Sequence, residues 1–540
     1  MPVLSFAGKM KTLSALVLSA ACCASGCSST VGPDEGSDQV EQDLSLGSFI
    51  WPGRSVGSVR LGMTYGQVKG ILGPASAFGA NNIVLAIYPQ RGLEIVFASP
   101  EPSTLTDEAR VISLGAAGST PFNGFVRPGL RRDAVEQRFG KGETAGDTSF
   151  YPQGFGVRYD KADAADAVAK TVSVFPSYSI EIQPPEMRSP FPYPRRSLPL
   201  ALAGKSLGVV DMHLHPGFFG RIPASTKPFI VNAVPPFLKA HLPAVSSQGL
   251  DPWAPHLGIQ AQTKQAGVDH AVLFAVYTQK TTGFITNEEV EAIVTDPRNR
   301  AADGLPWAFA LASIDFFDGY VRPDGTVDQN VARWRLSALA GYFERRRDVF
   351  IGIKLAHAHQ GVAFDDARYL GVYDVAAKAR VPVYLHTGFT PFPGGKNQPA
   401  FYDPQGLENT ILNFPQVKFV LGHVGQGDPT AVRHCLELAK KYSNVFLEIS
   451  ALNRPLVVDD DGDAVAPNPS SPQYPYVIQQ IKARGLVDKT LFGTDGPQGA
   501  GTVKTYAGLI RQAMVDEGYT AEQIAAVMGK NFQRVYFPSP

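Results

Sequence analysis

The sequence predicts an α/β protein in which a C-terminal (β/α)8 TIM barrel follows a small α+β tandem-repeat domain. Three observations predict this organisation. The N-terminal part contains an internal repeat, a dense run of prolines follows it, and from about residue 205 short apolar runs alternate with helix-length segments. Alternating strand and helix patterns are typical of a parallel sheet, and the length allows two or three domains.

Composition excludes one class of partner. The chain has 49 basic and 49 acidic residues and a sequence pI of about 7.1. We find no basic stretch interleaved with aromatic residues. Nucleic acid is therefore not an expected partner.

The first 27 residues have the pattern of an export signal. Lys9 and Lys11 precede an apolar run from Leu13 to Ala21, which is too short to span a bilayer, and small residues then lead to Cys27. The segment resembles a bacterial lipoprotein signal, although Ala24 stands where that family usually has leucine. The resemblance implies export, lipidation of Cys27 and anchoring to the cell envelope, at the outer membrane. A cleaved signal without a lipid is the alternative.

A flexible segment precedes the predicted N-terminal domain, and a stiff segment follows it. Residues 28–47 are polar and acidic, which predicts a flexible tether. Residues 183–204 are rich in proline, which predicts a stiff extended linker. We therefore expect the barrel, residues 205–540, to fold independently of residues 48–182.

Residues 48–182 contain the repeat. The run Val59-Arg60-Leu61-Gly62-Met63 returns as Val126-Arg127-Pro128-Gly129-Leu130. Each unit predicts a short helix followed by strands, with Gly92 and Gly154 at hairpin turns. The arrangement resembles the tandem helix-plus-hairpin domains of β-lactamase inhibitor protein and of small lipoproteins of the outer-membrane assembly machinery. The repeat has no histidine or cysteine, so we expect a binding or spacer module rather than an enzyme, with a protein as its candidate partner.

Eight apolar runs predict the strands of the barrel, whose functional site would lie at the C-terminal strand ends. They are Leu207–Val210, His270–Ala275, Trp307–Leu311, Phe350–Leu355, Val381–Leu385, Lys418–Leu421, Val445–Ile449 and Thr490–Phe492.

Polar side chains follow these runs where a site would need them. His213 and His215 follow the first run, and their spacing places both on one face of a strand, where imidazoles can bind one metal ion. The remaining polar candidates at strand ends are Lys354, His357, His359, His386, His423 and Asp495.

The motifs around these residues are similar to those of the amidohydrolase superfamily, in the branch of aminocarboxymuconate-semialdehyde decarboxylase and related hydrolases. They are Asp-Met-His-Leu-His, Gly-Ile-Lys-Leu, Pro-Val-Tyr-Leu-His-Thr-Gly, Leu-Gly-His-Val-Gly and Leu-Phe-Gly-Thr-Asp-Gly-Pro, within about residues 207–537. The resemblance implies that the metal ligands are His213, His215, His386 and Asp495. It places His423 beside the metal-bound water as a catalytic group together with Asp495.

Several alternatives stay open. The expected cofactor is one divalent ion, zinc, but Lys354 could be carboxylated and bridge two ions, with His423 binding the second. His357, His359 and Arg454 could contact substrate or could simply be polar loop residues. The expected reaction is hydrolysis of a small carbonyl substrate, an ester, lactone or amide, and the alternative is non-oxidative decarboxylation of an aromatic or unsaturated acid. The substrate and the oligomeric state are not predicted.

Overall fold

The structure is a computed structural model. It describes residues 49–537, apart from 119–120, 177–201, 203–204, 233, 318, 323–325, 347, 453–473 and 498. Cys27, the predicted tether, most of the predicted linker and Arg454 lie outside the described residues, so the predictions made for them stay predictions. Among the described helices, none has both the length and the apolar composition that a membrane crossing requires.

As far as the structure describes it, the N-terminal part consists of a small three-stranded sheet and a large eight-stranded sheet with two α-helices. The elements are β1 (Ile50–Trp51), β2 (Ser55–Val56), β3 (Val59–Arg60), α1 (Tyr65–Leu72), β4 (Ser76–Ala80), β5 (Ile83–Tyr88), β6 (Leu93–Ala98), β7 (Arg110–Ala117), α2 (Arg132–Phe139), β8 (Glu143–Ala145), β9 (Thr148–Tyr151), β10 (Phe155–Tyr159) and β11 (Ala169–Val174).

The internal repeat is visible in this sheet. Each unit contributes one helix and four antiparallel strands, and the strand order β4-β5-β6-β7-β11-β10-β9-β8 joins the units through their last strands. Gly92 and Gly154 have φ of 58° and 89° and lie at the β5–β6 and β9–β10 turns. Only glycine adopts such angles without a steric cost, which explains why the repeat retains it there. The predicted hairpin turns are thus found at both positions.

The C-terminal part forms the predicted barrel. Its parallel strands follow chain order around the sheet. They are β12 (Val210–Leu214), β13 (His270–Phe274), β16 (Ala308–Ala312), β17 (Phe350–Leu355), β18 (Val383–Gly388), β19 (Phe419–Gln426), β20 (Val445–Ile449) and β21 (Thr490–Phe492). A bridge between Leu214 and Gly496 links the first strand to the chain beyond the last. All eight predicted runs therefore correspond to barrel strands.

Helices and a short hairpin connect these strands. In chain order the elements are α3 (Lys227–Val231), α4 (Pro236–Lys239), α5 (Leu242–Leu250), α6 (Ile259–Gln265), β14 (Val276–Thr278), β15 (Gly283–Ile285), α7 (Asn287–Thr295), α8 (Gln329–Arg345), α9 (His357–Gln360), α10 (Ala367–Ala379), α11 (Pro399–Tyr402), α12 (Glu408–Asn413), α13 (Pro429–Lys441), α14 (Tyr474–Ala483), α15 (Thr502–Asp516), α16 (Ala521–Ala525) and α17 (Asn531–Tyr536). The sequence explains where α7 begins, because Thr286 and Glu289 form a reciprocal capping box at its N-terminus.

The first strand differs from its prediction. It begins at Val210 rather than Leu207 and includes Asp211 and His213, which are completely buried. A carboxylate is tolerated there because Asp211 accepts hydrogen bonds from the backbone amides of His213 and Thr494 and from the Thr494 hydroxyl. These bonds tie β12 to the chain after β21 and help to close the barrel.

One end of the barrel interior is filled with apolar side chains. Phe532, Val535 and Tyr536 of α17 pack against inward residues of the strands, including Met212 and Phe309. Polar residues are instead concentrated at the opposite end, where the strands finish. The fold thus leaves one open end for a site, as expected for this barrel architecture.

The N-terminal sheet packs against the barrel across the predicted domain boundary. Phe150 and Phe175 join an apolar cluster with Phe219 and Leu242, which lie between β12 and α6. The Ser113 hydroxyl is 2.8 Å from His241 Nδ1 in the same barrel segment. We call residues 216–258 the covered segment. Because it directly follows His215, the N-terminal sheet contacts the chain that leaves the candidate site.

Candidate metal centre

Three side-chain atoms converge at the open end of the barrel. His213 Nε2 lies 2.9 Å from His215 Nε2, and each of these nitrogens lies 3.2 Å from Asp495 Oδ1. His213 lies in β12, His215 follows that strand, and Asp495 lies just beyond β21. We call His213, His215 and Asp495 the triad. Two imidazole nitrogens and one carboxylate oxygen arranged around a common position are a suitable partial ligand set for zinc.

Unusual backbone conformations direct two of the site residues. His423 has φ of 65° and Asp495 has φ of 58°, both in the left-handed region that non-glycine residues seldom occupy. His423 lies in the C-terminal half of β19, and Asp495 follows β21, so both are at the open end of the barrel. Such strain is found at functional sites when the surrounding structure holds the residue in place. Here it aims both side chains into the same end of the barrel.

His386 and His423 extend the triad into a larger group of imidazoles. The ring centroid of His423 is 4.9 Å from that of His213 and 4.6 Å from that of His386. His386 is not one of the three converging ligands, so its predicted role as a metal ligand stays a prediction. Its buried Nε2 atom, however, has no hydrogen-bonding partner among the described residues, which leaves that nitrogen available to a ligand.

His359 lies beside His386, with 4.8 Å between their ring centroids. Its Nδ1 atom is 2.8 Å from the hydroxyl of Thr281. His357, by contrast, packs between Phe364 and Tyr369 in the apolar layer beneath the helices. Of the two histidines predicted as substrate contacts, the structure therefore brings only His359 next to the site imidazoles.

Burial controls the charge of the imidazoles. It lowers the pKa of His213 and His386 well below the ordinary value, and it lowers the pKa of His423 and His359 to about 3. Burial also acts to raise the pKa of Asp495, but a hydrogen bond from His215 and nearby positive charge outweigh it and lower that pKa. Neutral imidazoles and an ionised carboxylate are the forms that bind a metal ion.

Lys354 is buried near the same group. Its Nζ atom lies over the rings of Tyr384 and Phe274, at 4.1 Å and 4.9 Å from their centroids. Burial lowers the pKa of its ammonium group to about 7, although the charges of Asp495 and Glu448 act in the opposite direction. The structure thus places Lys354 close to the triad without assigning it to a second ion.

Three further buried groups escaped the sequence analysis. Glu448 Oε2 lies 2.7 Å from the Tyr384 hydroxyl and 2.9 Å from the Ser450 hydroxyl. The Ser450 hydroxyl in turn lies 3.0 Å from His213 Nδ1 and 2.9 Å from His423 Nδ1. A signal for Glu448 was available, because a single carboxylate inside the apolar run Val445–Ile449 needs buried partners.

Comparison with known proteins gives a family for the barrel. Residues 210–537 match the sequence model of the family described as Amidohydrolase. No curated protein matches the chain.

Solved structures align with the barrel at low identity. An uncharacterised TIM-barrel protein from Bordetella bronchiseptica is 15% identical, with a TM-score of 0.42, and the alignment covers 61% of this chain and 97% of that one. 5-Carboxyvanillate decarboxylase from Sphingomonas paucimobilis is 15% identical, with a TM-score of 0.37, and the alignment covers 61% of this chain and 99% of that one. A probable 2-pyrone-4,6-dicarboxylic acid hydrolase from Acinetobacter baumannii is 13% identical, with a TM-score of 0.35, and the alignment covers 61% of this chain and 99% of that one.

The family match covers the whole barrel and with it more than half of the chain. It includes the triad and every other described residue of the group at the open end. The chain belongs to the amidohydrolase family.

Proposed function

We propose that this chain is a metal-dependent hydrolase that cleaves a small carbonyl compound, an ester, lactone or amide. The observation that carries the proposal is the convergence of His213 Nε2, His215 Nε2 and Asp495 Oδ1 within 3.2 Å of one another. Family membership independently indicates a metal-dependent enzyme, either a hydrolase or a decarboxylase.

The residues present fit one divalent ion. His213, His215 and Asp495 would hold it, and the unpartnered Nε2 of His386 supports that residue as a fourth ligand. Zinc is the proposed ion because imidazole nitrogen and carboxylate oxygen are among its preferred ligands. When bound, such an ion supplies Lewis acidity that polarises a carbonyl group and makes water more acidic.

His423 is the proposed general base. Its Nδ1 atom is 2.9 Å from the Ser450 hydroxyl, so the other ring nitrogen, Nε2, is the one that can accept a proton. In hydrolysis, a water oxygen forms a bond to the carbonyl carbon while His423 takes a proton from the water. The same proton can then be delivered to the leaving oxygen or nitrogen as its bond to carbon breaks.

Lys354 favours substrates that carry a carboxylate. Its ammonium group is buried and lies beside aromatic rings rather than in water. An anionic group on the substrate would offset the cost of burying that charge. This is compatible with a carboxylated lactone or ester, and also with the acid that a decarboxylase would use.

The test is a paired assay on the purified, zinc-loaded chain. A panel of esters, lactones and amides is followed by acid release, and a panel of aromatic and unsaturated acids is followed by release of carbon dioxide. We expect zinc-dependent acid release without carbon dioxide. Carbon dioxide release alone would replace the hydrolase with the decarboxylase, and a chain that binds no metal ion would refute both.

Location is a separate proposal. The lipoprotein-like signal supports an exported protein that is anchored at the outer membrane through Cys27. The repeat domain would then face the same compartment as the barrel.

A further inference from the structure

A buried carboxylate lies below the triad and is not used by the proposed reaction. Glu448, Tyr384 and Ser450 are completely buried, and we call them the Glu448 hub. Besides His213 Nδ1 at 3.4 Å, Glu448 Oε2 is within hydrogen-bonding distance of three donors. These are the Tyr384 hydroxyl at 2.7 Å, the Ser450 hydroxyl at 2.9 Å and the backbone amide of His423 at 3.3 Å. Burying a carboxylate is costly unless donors of this kind compensate it.

The Glu448 hub requires glycine at two neighbouring positions, because a larger residue at either would overlap a hub side chain. A Cβ atom at Gly422 would lie 1.8 Å from the Tyr384 hydroxyl oxygen, and one at Gly493 would lie 2.1 Å from Glu448 Oε1. Real Cβ atoms cannot approach so closely. The chain therefore accommodates the hub with glycine in the two motifs that also carry His423 and Asp495.

Counting protons determines which way the hydrogen bonds run. The Tyr384 hydroxyl is also 2.8 Å from His213 Nδ1, and the Ser450 hydroxyl is 3.0 Å from His213 Nδ1 and 2.9 Å from His423 Nδ1. Each hydroxyl has one proton to donate. A hydroxyl that donates to Glu448 can only accept from an imidazole, so both Nδ1 atoms must carry the hydrogen.

The direction is the same for an ionised Glu448 and for a neutral Glu448 whose proton is on Oε1. Its Oε1 atom has no hydrogen-bonding partner among the described residues, whereas Oε2 faces all three donors. If Glu448 is ionised, Oε2 is a carboxylate oxygen. If it is neutral with its proton on Oε1, then Oε2 is a carbonyl oxygen that still accepts from both hydroxyls.

We propose that Glu448, acting through Tyr384 and Ser450, is a positioning residue that holds His213 and His423 in the tautomer with hydrogen on Nδ1. The Nε2 lone pair of His213 is then directed to the metal ion, and that of His423 is free to accept a proton. This inference rests on the proposed function for the roles of the two histidines. Partners of this kind fix the tautomer and raise the affinity of many metal-binding histidines.

The test compares two substitutions of Glu448 in the full chain. Glu448→Gln retains an acceptor oxygen in the position of Oε2, whereas Glu448→Met has a similar shape and no acceptor. Nitrogen-15 NMR of histidine-labelled, metal-free protein distinguishes the two tautomers, and the signals are assigned by their loss in His213→Ala and His423→Ala. We expect the Nδ1–H form for both residues in the wild type and in Glu448→Gln, and a shift towards Nε2–H in Glu448→Met.

Zinc affinity provides a second readout. In competition with a chelator, Glu448→Met should bind zinc about 10–100-fold more weakly than wild type, the usual cost of losing such a partner. Glu448→Gln should stay close to wild type. Wild-type protein with Nε2–H imidazoles, or Glu448→Met with unchanged tautomers, would overturn the inference.

Ser450→Ala covers the case in which Glu448→Met does not fold. It removes the hydroxyl at 2.9 Å from His423 Nδ1, leaves the backbone carbonyl of residue 450 at 3.4 Å from that nitrogen, and leaves Tyr384 beside His213. We therefore expect the fraction of His423 with hydrogen on Nδ1 to fall while that of His213 is retained, and the reverse result would contradict the proposal. Wild-type protein that binds no zinc would refute the proposed function, whereas the tautomers of the metal-free chain would still test the hub.

Discussion

The two folded regions of this chain bury polar side chains for different purposes. At the open end of the barrel, the buried polar atoms come from six strands or strand ends and converge on the triad and the Glu448 hub. In the N-terminal sheet, Ser113 and Ser173 are buried because their hydroxyls meet His241 and the Ala240 carbonyl of the covered segment. In the barrel, the buried polar groups form the candidate metal site. In the N-terminal sheet, they attach the covered segment to the sheet.

This difference changes the expected role of the repeat domain. The proline-rich segment predicts two independent units, yet the sheet covers apolar side chains of the barrel segment that leaves His215. It also contacts the loop after Asp495, because the Asn81 amide donates to the Ala500 carbonyl at 2.9 Å. Part of the sheet surface is therefore occupied by this chain itself rather than being free for a partner.

Loss of a triad imidazole should have the largest effect. His213→Ala removes one of the three converging ligand atoms, so we expect the zinc content to fall from about one ion per chain to a small fraction of that. Elemental analysis of purified protein measures this directly. His434→Ala is the matched control, because His434 lies 2.8 Å from Asp403 Oδ1 outside the triad and the hub. Full retention of zinc by His213→Ala would remove the triad from the metal site.

Removal of the proposed base should lower the catalytic rate without loss of the zinc ion. His423→Ala is expected to retain about one zinc ion per chain and to lose on the order of a hundredfold in rate, as the loss of a general base does. His423→Asn should behave similarly while adapting better to the left-handed backbone at this residue. Steady-state kinetics and elemental analysis provide the two measurements.

His423→Ala and Lys354→Ala together test the one-ion arrangement. If wild-type protein holds two ions, and both His423→Ala and Lys354→Ala reduce it to one, the one-ion model is wrong. A two-ion centre bridged by a carboxylated Lys354 would then replace it.

The contact between the two regions should have a moderate effect on stability. Lys227 of the covered segment is almost fully buried and pairs with Glu143 of the sheet, whose side chain is 43% exposed. Glu143→Lys would place two ammonium groups together. We expect it to lower the free energy of unfolding by about 1–3 kcal/mol, between the effects of breaking exposed and buried pairs.

Urea unfolding and hydrogen exchange would check this effect. The exchange of amides in residues 216–258 should accelerate in Glu143→Lys, because that segment loses an attachment to the sheet. Glu108→Lys makes the same charge change at an exposed position and serves as the control. Equal behaviour of the two variants would mean that the sheet does not hold the covered segment.

The barrel was predictable because its evidence is local. Each strand is a short apolar run, and most of the site residues stand at the ends of those runs. The pairing of His213 with Glu448 spans 235 residues, and that of Ser113 with His241 spans 128. Contacts at such separations depend on how whole elements pack, and no local pattern encodes them. This is why the hub partners and the contact between the two regions could not be predicted in the same way.

The smallest effect on the folded regions is expected from Cys27→Ser. Cys27 lies outside the described residues, and its predicted lipid would hold the chain at a membrane through buried acyl carbons, each CH2 contributing about 0.8 kcal/mol. The variant should leave the membrane fraction while its zinc content and unfolding midpoint stay at wild-type values. Cys22→Ser, a change in the same signal segment, should remain with the membranes. A Cys27→Ser protein that still carries lipid and sediments with membranes would show that the anchor lies elsewhere.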